Sequence, residues 1–146
     1  MTTRSPAVPA AVCEDVAHLR SAALRAAVTS LQRRGGFFPV GLSIDRSGTL
    51  EYHLPDPVPG RRLTPLDAID VVEGSLLAAR DDLRAVALVM DITWLGSDAV
   101  RVDLEHRACE GQLRIRTPYS LGRRLLRRTV TLGEPDESDA DPRIWP

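Results

Sequence analysis

The sequence predicts an α+β fold: a two-layer sandwich in the order α-β-β-α-β-β-β plus a C-terminal tail. The sheet is mainly antiparallel and five-stranded, with two helices on one face. Three observations predict it. Two segments carry apolar residues at helical spacing on one side only. Five segments alternate apolar and polar residues with period two, or form short apolar runs. The outward positions of the later strands are charged, as in a sheet with one covered and one solvated face. The expected boundaries are a flexible N-terminal arm over 1–12, a single α+β domain over 13–132 and an acidic C-terminal tail over 133–146.

The first helix lies in EDVAHLRSAALRAAVTSLQRR. Val16, Leu19, Ala23, Ala27, Val28 and Leu31 form its apolar stripe, and His18, Ser21, Arg25, Thr29 and Gln32 its polar one. Glu14 and Asp15 suit a first turn, and Arg33 and Arg34 a last turn, given the helix dipole. Gly35 then stops the helix in the left-handed conformation. Phe38, Val40, Leu42 and Ile44 share one parity, and so do Leu50, Tyr52 and Leu54. Placing both rows on one face sets Ile44 opposite Leu50 and leaves Arg46-Ser47-Gly48 as a three-residue loop, with Asp45 accepting local N–H bonds.

PDPVPGRR reads as a rigid connector. Thr64 caps the second helix, with Pro65 at its first position and Asp67 completing a capping box. Leu66, Ile69, Val72, Leu76 and Leu83 mark its buried side, and Gly74 inside it suggests close packing. AVALVMDITW is apolar on both faces and reads as a central strand. Val100, Val102, Leu104 and His106 then point inward, as do Leu113 and Ile115. The matching register pairs Asp91 with Arg101, Asp103 with Arg116 and Glu105 with Arg114. Beyond Pro118-Tyr119, SLGRRLLRR reads as a helical turn and TVTL as a short last strand.

Composition excludes more than it identifies. A chain of 146 residues at 43% hydrophobic and 27% charged forms one globular domain with its own core. A net charge of −1 gives no global attraction to nucleic acid or acidic lipid. All 19 basic residues are arginine, which we attribute to the codon usage of a GC-rich genome rather than to phosphate binding. The first residues lack the basic and apolar regions of a secretory leader, and no run approaches a membrane span. The expectation is a cytoplasmic protein with no membrane partner. Cys13 and Cys109 match no metal spacing and read as free thiols, so no metal and no cofactor is expected.

Each candidate for chemistry meets a plainer reading. Asp45-x-x-Gly48 lacks the lysine of a phosphate loop and the oxygens of a calcium loop, so it is a turn. Glu105 and His106 point to opposite faces of one strand and cannot share a substrate. Glu51 and His53 read as a solvated strand face. His106 with Tyr52, Tyr119 or Asp91 would make a ligand or catalytic pocket only if His106 were exposed between sheet and helices. Arg123, Arg124, Arg127 and Arg128 form a basic patch for nucleic acid or acidic lipid, against the plainer reading of pairing with the acidic residues at 134–141 or of a solvated face. Gly41, Ser43, Ala85, Ala87 and Val89 read as one small apolar patch on the outer face. Such a patch is covered by residues 119–132, by a second copy or by another protein.

Phe37-Phe38-Pro39-x-Gly41, Asp45-x-x-Gly48, Asp91, Glu105-His106 and Pro118-Tyr119 together resemble a group of small bacterial proteins of unassigned function. That resemblance implies no activity, cofactor or catalytic residue. The element order is also similar to roadblock-type and profilin-like domains, which implies a binding module that dimerises. The functional expectation is a non-enzymatic cytosolic protein-interaction domain, either a homodimer or a small regulatory or immunity-type partner. The alternatives are a ligand-binding or enzymatic pocket at His106, and a weak nucleic-acid binder through Arg123–Arg128.

Overall fold

The computed structural model describes residues 8–56, 59–60 and 62–146. Most of the expected arm, residues 1–7, and parts of the PDPVPGRR connector lie outside them. Helix α1 (Ala10–Arg34) begins inside the expected arm and earlier than its acidic residues suggest. Asp15 therefore sits inside the buried stripe with Val12, Leu19, Ala22, Ala23, Ala27 and Leu31 rather than in the first turn. Gly35 ends the helix at φ 76°, and its N–H donates to Leu31 O.

Strands β1 (Val40–Asp45) and β2 (Leu50–His53) pair with Ile44 opposite Leu50, as expected. Asp45 Oδ1 accepts from the Ser47 and Thr49 N–H groups, each at 2.9 Å, and from the Ser47 hydroxyl at 2.6 Å. These bonds, the hydroxyl first, hold its carboxyl below the usual range. Gly48 carries the positive φ of 90° that the loop requires. Helix α2 (Pro65–Ala79) has the capping box of Thr64 and Asp67. Gly74 departs from its expectation, because an added Cβ there would meet nothing within 4 Å.

A short 3-10 turn, Arg80–Asp82, leads into β3 (Leu83–Trp94), followed by β4 (Ser97–His106) and β5 (Gln112–Arg124). The expected TVTL strand lies within β6 (Arg127–Leu132), the expected helical turn is instead the end of β5 and the start of β6, and the expected tail carries β7 (Asp136–Ala140). The sheet is antiparallel, in the order β2-β1-β3-β4-β5-β6, with β7 also on β5. Among the described residues it has seven strands rather than five, and it curls into a half-barrel around α1. The β6–β7 run is one arm of a long hairpin with β5. It is broken at Gly133–Pro135, where the Gly133 N–H donates to Pro118 O at 2.7 Å.

Two registers differ from expectation. Leu95 and Gly96 form a two-residue turn at φ 50° and 77°, where three residues were expected. Asp91 therefore faces Val100, which turns it to the α1 side. Asp103 pairs with Arg114, and Arg101 lies opposite Arg116, two residues from the expected pairing. Glu105 stays on the outer face but is released from Arg114.

The helices do not share a face. Leu42, Ile44, Ala85, Ala87, Val89, Val100, Val102 and Leu104 pack with α1 in one cluster. Val86, Leu88 and Met90 pack with Val72 and Leu76 of α2 in a second cluster on the other face. The cause is in β1. Gly41 leaves room for α2, since a Cβ there would come within 2.6 Å of Val72 Cγ1. The second cluster is completed by Ile144, with Trp145 packed beside it. The expected acidic tail is thus a paired strand followed by a docked segment.

Candidate functional site

The sequence-based candidates separate in space. Gly41 and Ser43 lie opposite Leu88 and Val86 on the outer face, whereas Ala85, Ala87 and Val89 lie under α1. The five make no common patch, and α2 covers the two that face outward. Ser43 is fully buried and its Oγ is 2.8 Å from His53 Nε2, while Ser75 Oγ of α2 is 2.9 Å from His53 Nδ1. His53 is therefore a tie between β2 and α2 rather than part of a solvated face. Burial lowers its pKa from 6.5, against an opposing pull from Glu51.

His106 is buried on the α1 side, as its parity requires. Its Nδ1 accepts from the Ala108 N–H at 3.0 Å, so the proton is on Nε2, which donates to Asp15 Oδ2 at 2.9 Å. Arg84 completes the cluster, donating to the two Asp15 oxygens at 2.8 and 3.0 Å. Burial raises the Asp15 carboxyl, but the bonds from Arg84 and His106 outweigh it and leave the group below its usual value of 3.8. Both ring nitrogens of His106 are thus engaged. Beside it runs a groove of about 430 Å³ between α1 and the β4–β5 turn, floored by Val12, Val16, Leu104 and Leu113. Cys13 and Cys109 line the same groove, as free thiols.

Tyr119 and Asp91 form a separate pair. The Tyr119 hydroxyl donates to Asp91 Oδ1 at 2.7 Å, and burial followed by that carboxylate pushes the phenol well above its usual range. Tyr52 stands apart from all of these, 54% exposed at the sheet edge. Thus Tyr119 and Asp91 meet, and neither His106 nor Tyr52 joins them. Among the described residues, no three His, Cys, Asp or Glu side chains are arranged to hold a metal ion.

Two polar anchors escaped sequence reasoning. The first is Asp15, whose partners lie 69 and 91 residues away. The second is Glu105. Its carboxylate accepts the consecutive N–H groups of Arg143, Ile144 and Trp145 at 3.0–3.3 Å, and Gln112 Nε2 at 3.2 Å. Arg143 adds a 2.6 Å ion pair with Glu73 of α2.

Of the two plainer readings of the basic patch, pairing with the acidic residues at 134–141 does not occur among the described residues. Asp136 pairs with Arg116 and Glu137 with Arg20. Among the described residues, Arg123, Arg124, Arg127 and Arg128 have no ion pair. Among the described residues, no helix is long and apolar enough to cross a membrane. Comparison with protein-family models, curated proteins and solved structures finds no match for the chain.

Proposed function

We propose that the chain is a non-enzymatic, cytosolic protein-interaction domain that self-associates through the open edge of β2. One observation carries this reading. Helix α1 packs mainly on β1, β3, β4 and β6, so at the β2 edge Leu50 is partly buried against the core while Tyr52 and Leu54 are left exposed. Tyr52 and Leu54 are 54% and 64% exposed and line a shallow groove with Ala26 and Thr29 of α1. β2 ends the strand order, so its outer backbone groups have no strand partner among the described residues. An edge of this kind accepts a further strand, and a two-fold antiparallel pairing would join two sheets. Sedimentation of the purified chain from micromolar to millimolar concentration tests it. A dimer is expected in the wild type and a monomer in Tyr52→Glu/Leu54→Glu. A wild type that stays monomeric throughout sinks the reading.

The groove beside His106 supports a second reading, the binding of a small apolar molecule. The engaged ring nitrogens argue for binding there rather than proton transfer.

A further inference from the structure

We infer that the β5–β6 hairpin tip is a docking device for the surface of an anionic lipid bilayer. Four observations meet in residues 123–128. Leu125 and Leu126 form the two-residue turn and are 95% and 98% exposed. Leu125 has φ 58°, a conformation that such turns normally give to Gly, Asn or Asp. Arg123 lies directly opposite Arg128, and Arg124 opposite Arg127, although like charges in facing positions repel. No acidic side chain relieves them among the described residues. Two exposed leucines, a strained turn and two facing like-charge pairs are each unfavourable to folding. Their concentration at one tip marks a site kept for contact.

The arrangement also says what the contact is. Strand parity puts Arg123 and Arg128 on the concave side and Arg124 and Arg127 on the outer side. Arg128 Nη1 donates to Gln32 O at the end of α1 at 3.4 Å, so Arg123, Arg124 and Arg127 form the open collar around the hairpin, with the leucines projecting beyond it. A bilayer presents the complement in the same order: phosphates at the surface and hydrocarbon beneath. The two ranks of arginine are roughly 3.4 Å apart along the strands, so both lie at nearly one level just behind the leucines, as phosphates lie just above the hydrocarbon. Nucleic acid matches the collar but gives the leucines no apolar phase, and the stacking aromatics of single-strand binders are missing from the tip. The contact is peripheral and needs no membrane-spanning helix.

Flotation of the full chain with vesicles tests it, using phosphatidylcholine alone and phosphatidylcholine mixed with phosphatidylserine. The chain should bind the mixed vesicles and not the neutral ones, and added salt should weaken binding. Leu125→Ser/Leu126→Ser should lower partitioning about tenfold. Each of Arg124→Gln and Arg127→Gln should lower it about fivefold. Leu125→Gly separates contact from folding: it relieves the positive φ, so its Tm should rise while its vesicle binding falls. Absence of binding to the mixed vesicles overturns the inference. So does vesicle binding that is indifferent to both leucines. Binding to duplex DNA or RNA that needs the arginines but not the leucines would reassign the tip to nucleic acid.

Discussion

On its concave face the sheet is closed by one long helix, and on its outer face by several short pieces. Leu19, Ala23 and Leu31 of α1 are completely buried within the half-barrel. The outer face is closed by α2 over β1 and β3, and by the Arg143–Trp145 segment, with Ile144 in the apolar cluster. The concave closure depends on apolar area, with a polar cluster at Asp15, Arg84 and His106 and the separate Tyr119–Asp91 pair. The outer closure depends on polar handles: Glu105 on three backbone N–H groups, Glu73 on Arg143, and His53 between Ser43 and Ser75. A face held by continuous packing fails as a unit. A face held by handles fails piece by piece.

The largest effects break that contrast directly. Leu19→Ala and Ile144→Ala each remove a buried aliphatic side chain, and such changes cost about 2–5 kcal/mol. Leu19 is enclosed by sheet on a helix that cannot leave, so its cost should lie near the top of the range. The segment carrying Ile144 can detach, which caps its cost near the bottom. Urea unfolding measures both. Hydrogen exchange should show the Ile144 and Trp145 amides losing protection in Ile144→Ala while β3 amides keep theirs. Equal costs, or loss of protection throughout the sheet, would show that the outer closure is as cooperative as the concave one.

The same contrast explains what could be read in advance. The Asp45 turn, the Thr64 capping box and the Gly35 stop depend on neighbours within a few residues, and all three occur. The inward parity of Val100, Val102 and Leu104 also holds, because a one-residue slip would expose every one of them. The side taken by α2 was not legible. Period two says which residues share a face but not which helix covers it, and Gly41 was the only local sign. The strand Asp136–Ala140 did leave a signal, since Asp136 and Ser138 repeat the two-residue spacing of Arg116 and Arg114 opposite them. Its polarity hid it, because a strand whose only apolar residue is a terminal alanine reads as a tail. The Asp15–His106 contact joins residues 91 apart, and no local pattern reports it. Leu95 at positive φ, likewise, is not what turn chemistry leads one to expect, and it cost the β3–β4 register one residue.

A smaller effect of opposite sign tests whether the outer helix is optimised. Gly74 is exposed in the middle of α2 with open space where a Cβ would stand. Gly74→Ala should therefore stabilise the protein by about 1 kcal/mol, through helix propensity alone. Gly41→Ala, on the strand beneath the same helix, should destabilise it, because Val72 occupies that space. A destabilising Gly74→Ala in thermal unfolding would mean that another surface packs against the glycine.

The finest test is in pH, where the two faces should weaken in different windows. His53 has its pKa lowered from 6.5 by burial, so the unfolded chain takes up its proton first as pH falls. Its contribution is fully present above 6.5 and is lost as pH drops from there toward the folded value. Asp15 is also lowered, because Arg84 and His106 outweigh its burial, but its unfolded value is 3.8. Its contribution is complete above 3.8 and is lost only as pH falls through the folded value below that. Mild acid should thus loosen the tie between β2 and α2 while leaving the Asp15 carboxylate charged. Unfolding midpoints taken from about pH 7.5 down to about pH 5.5 should decline in the wild type and flatten in His53→Gln. An unchanged decline in His53→Gln would place the titrating group elsewhere, and the outer face would lose its claim to be the acid-sensitive one.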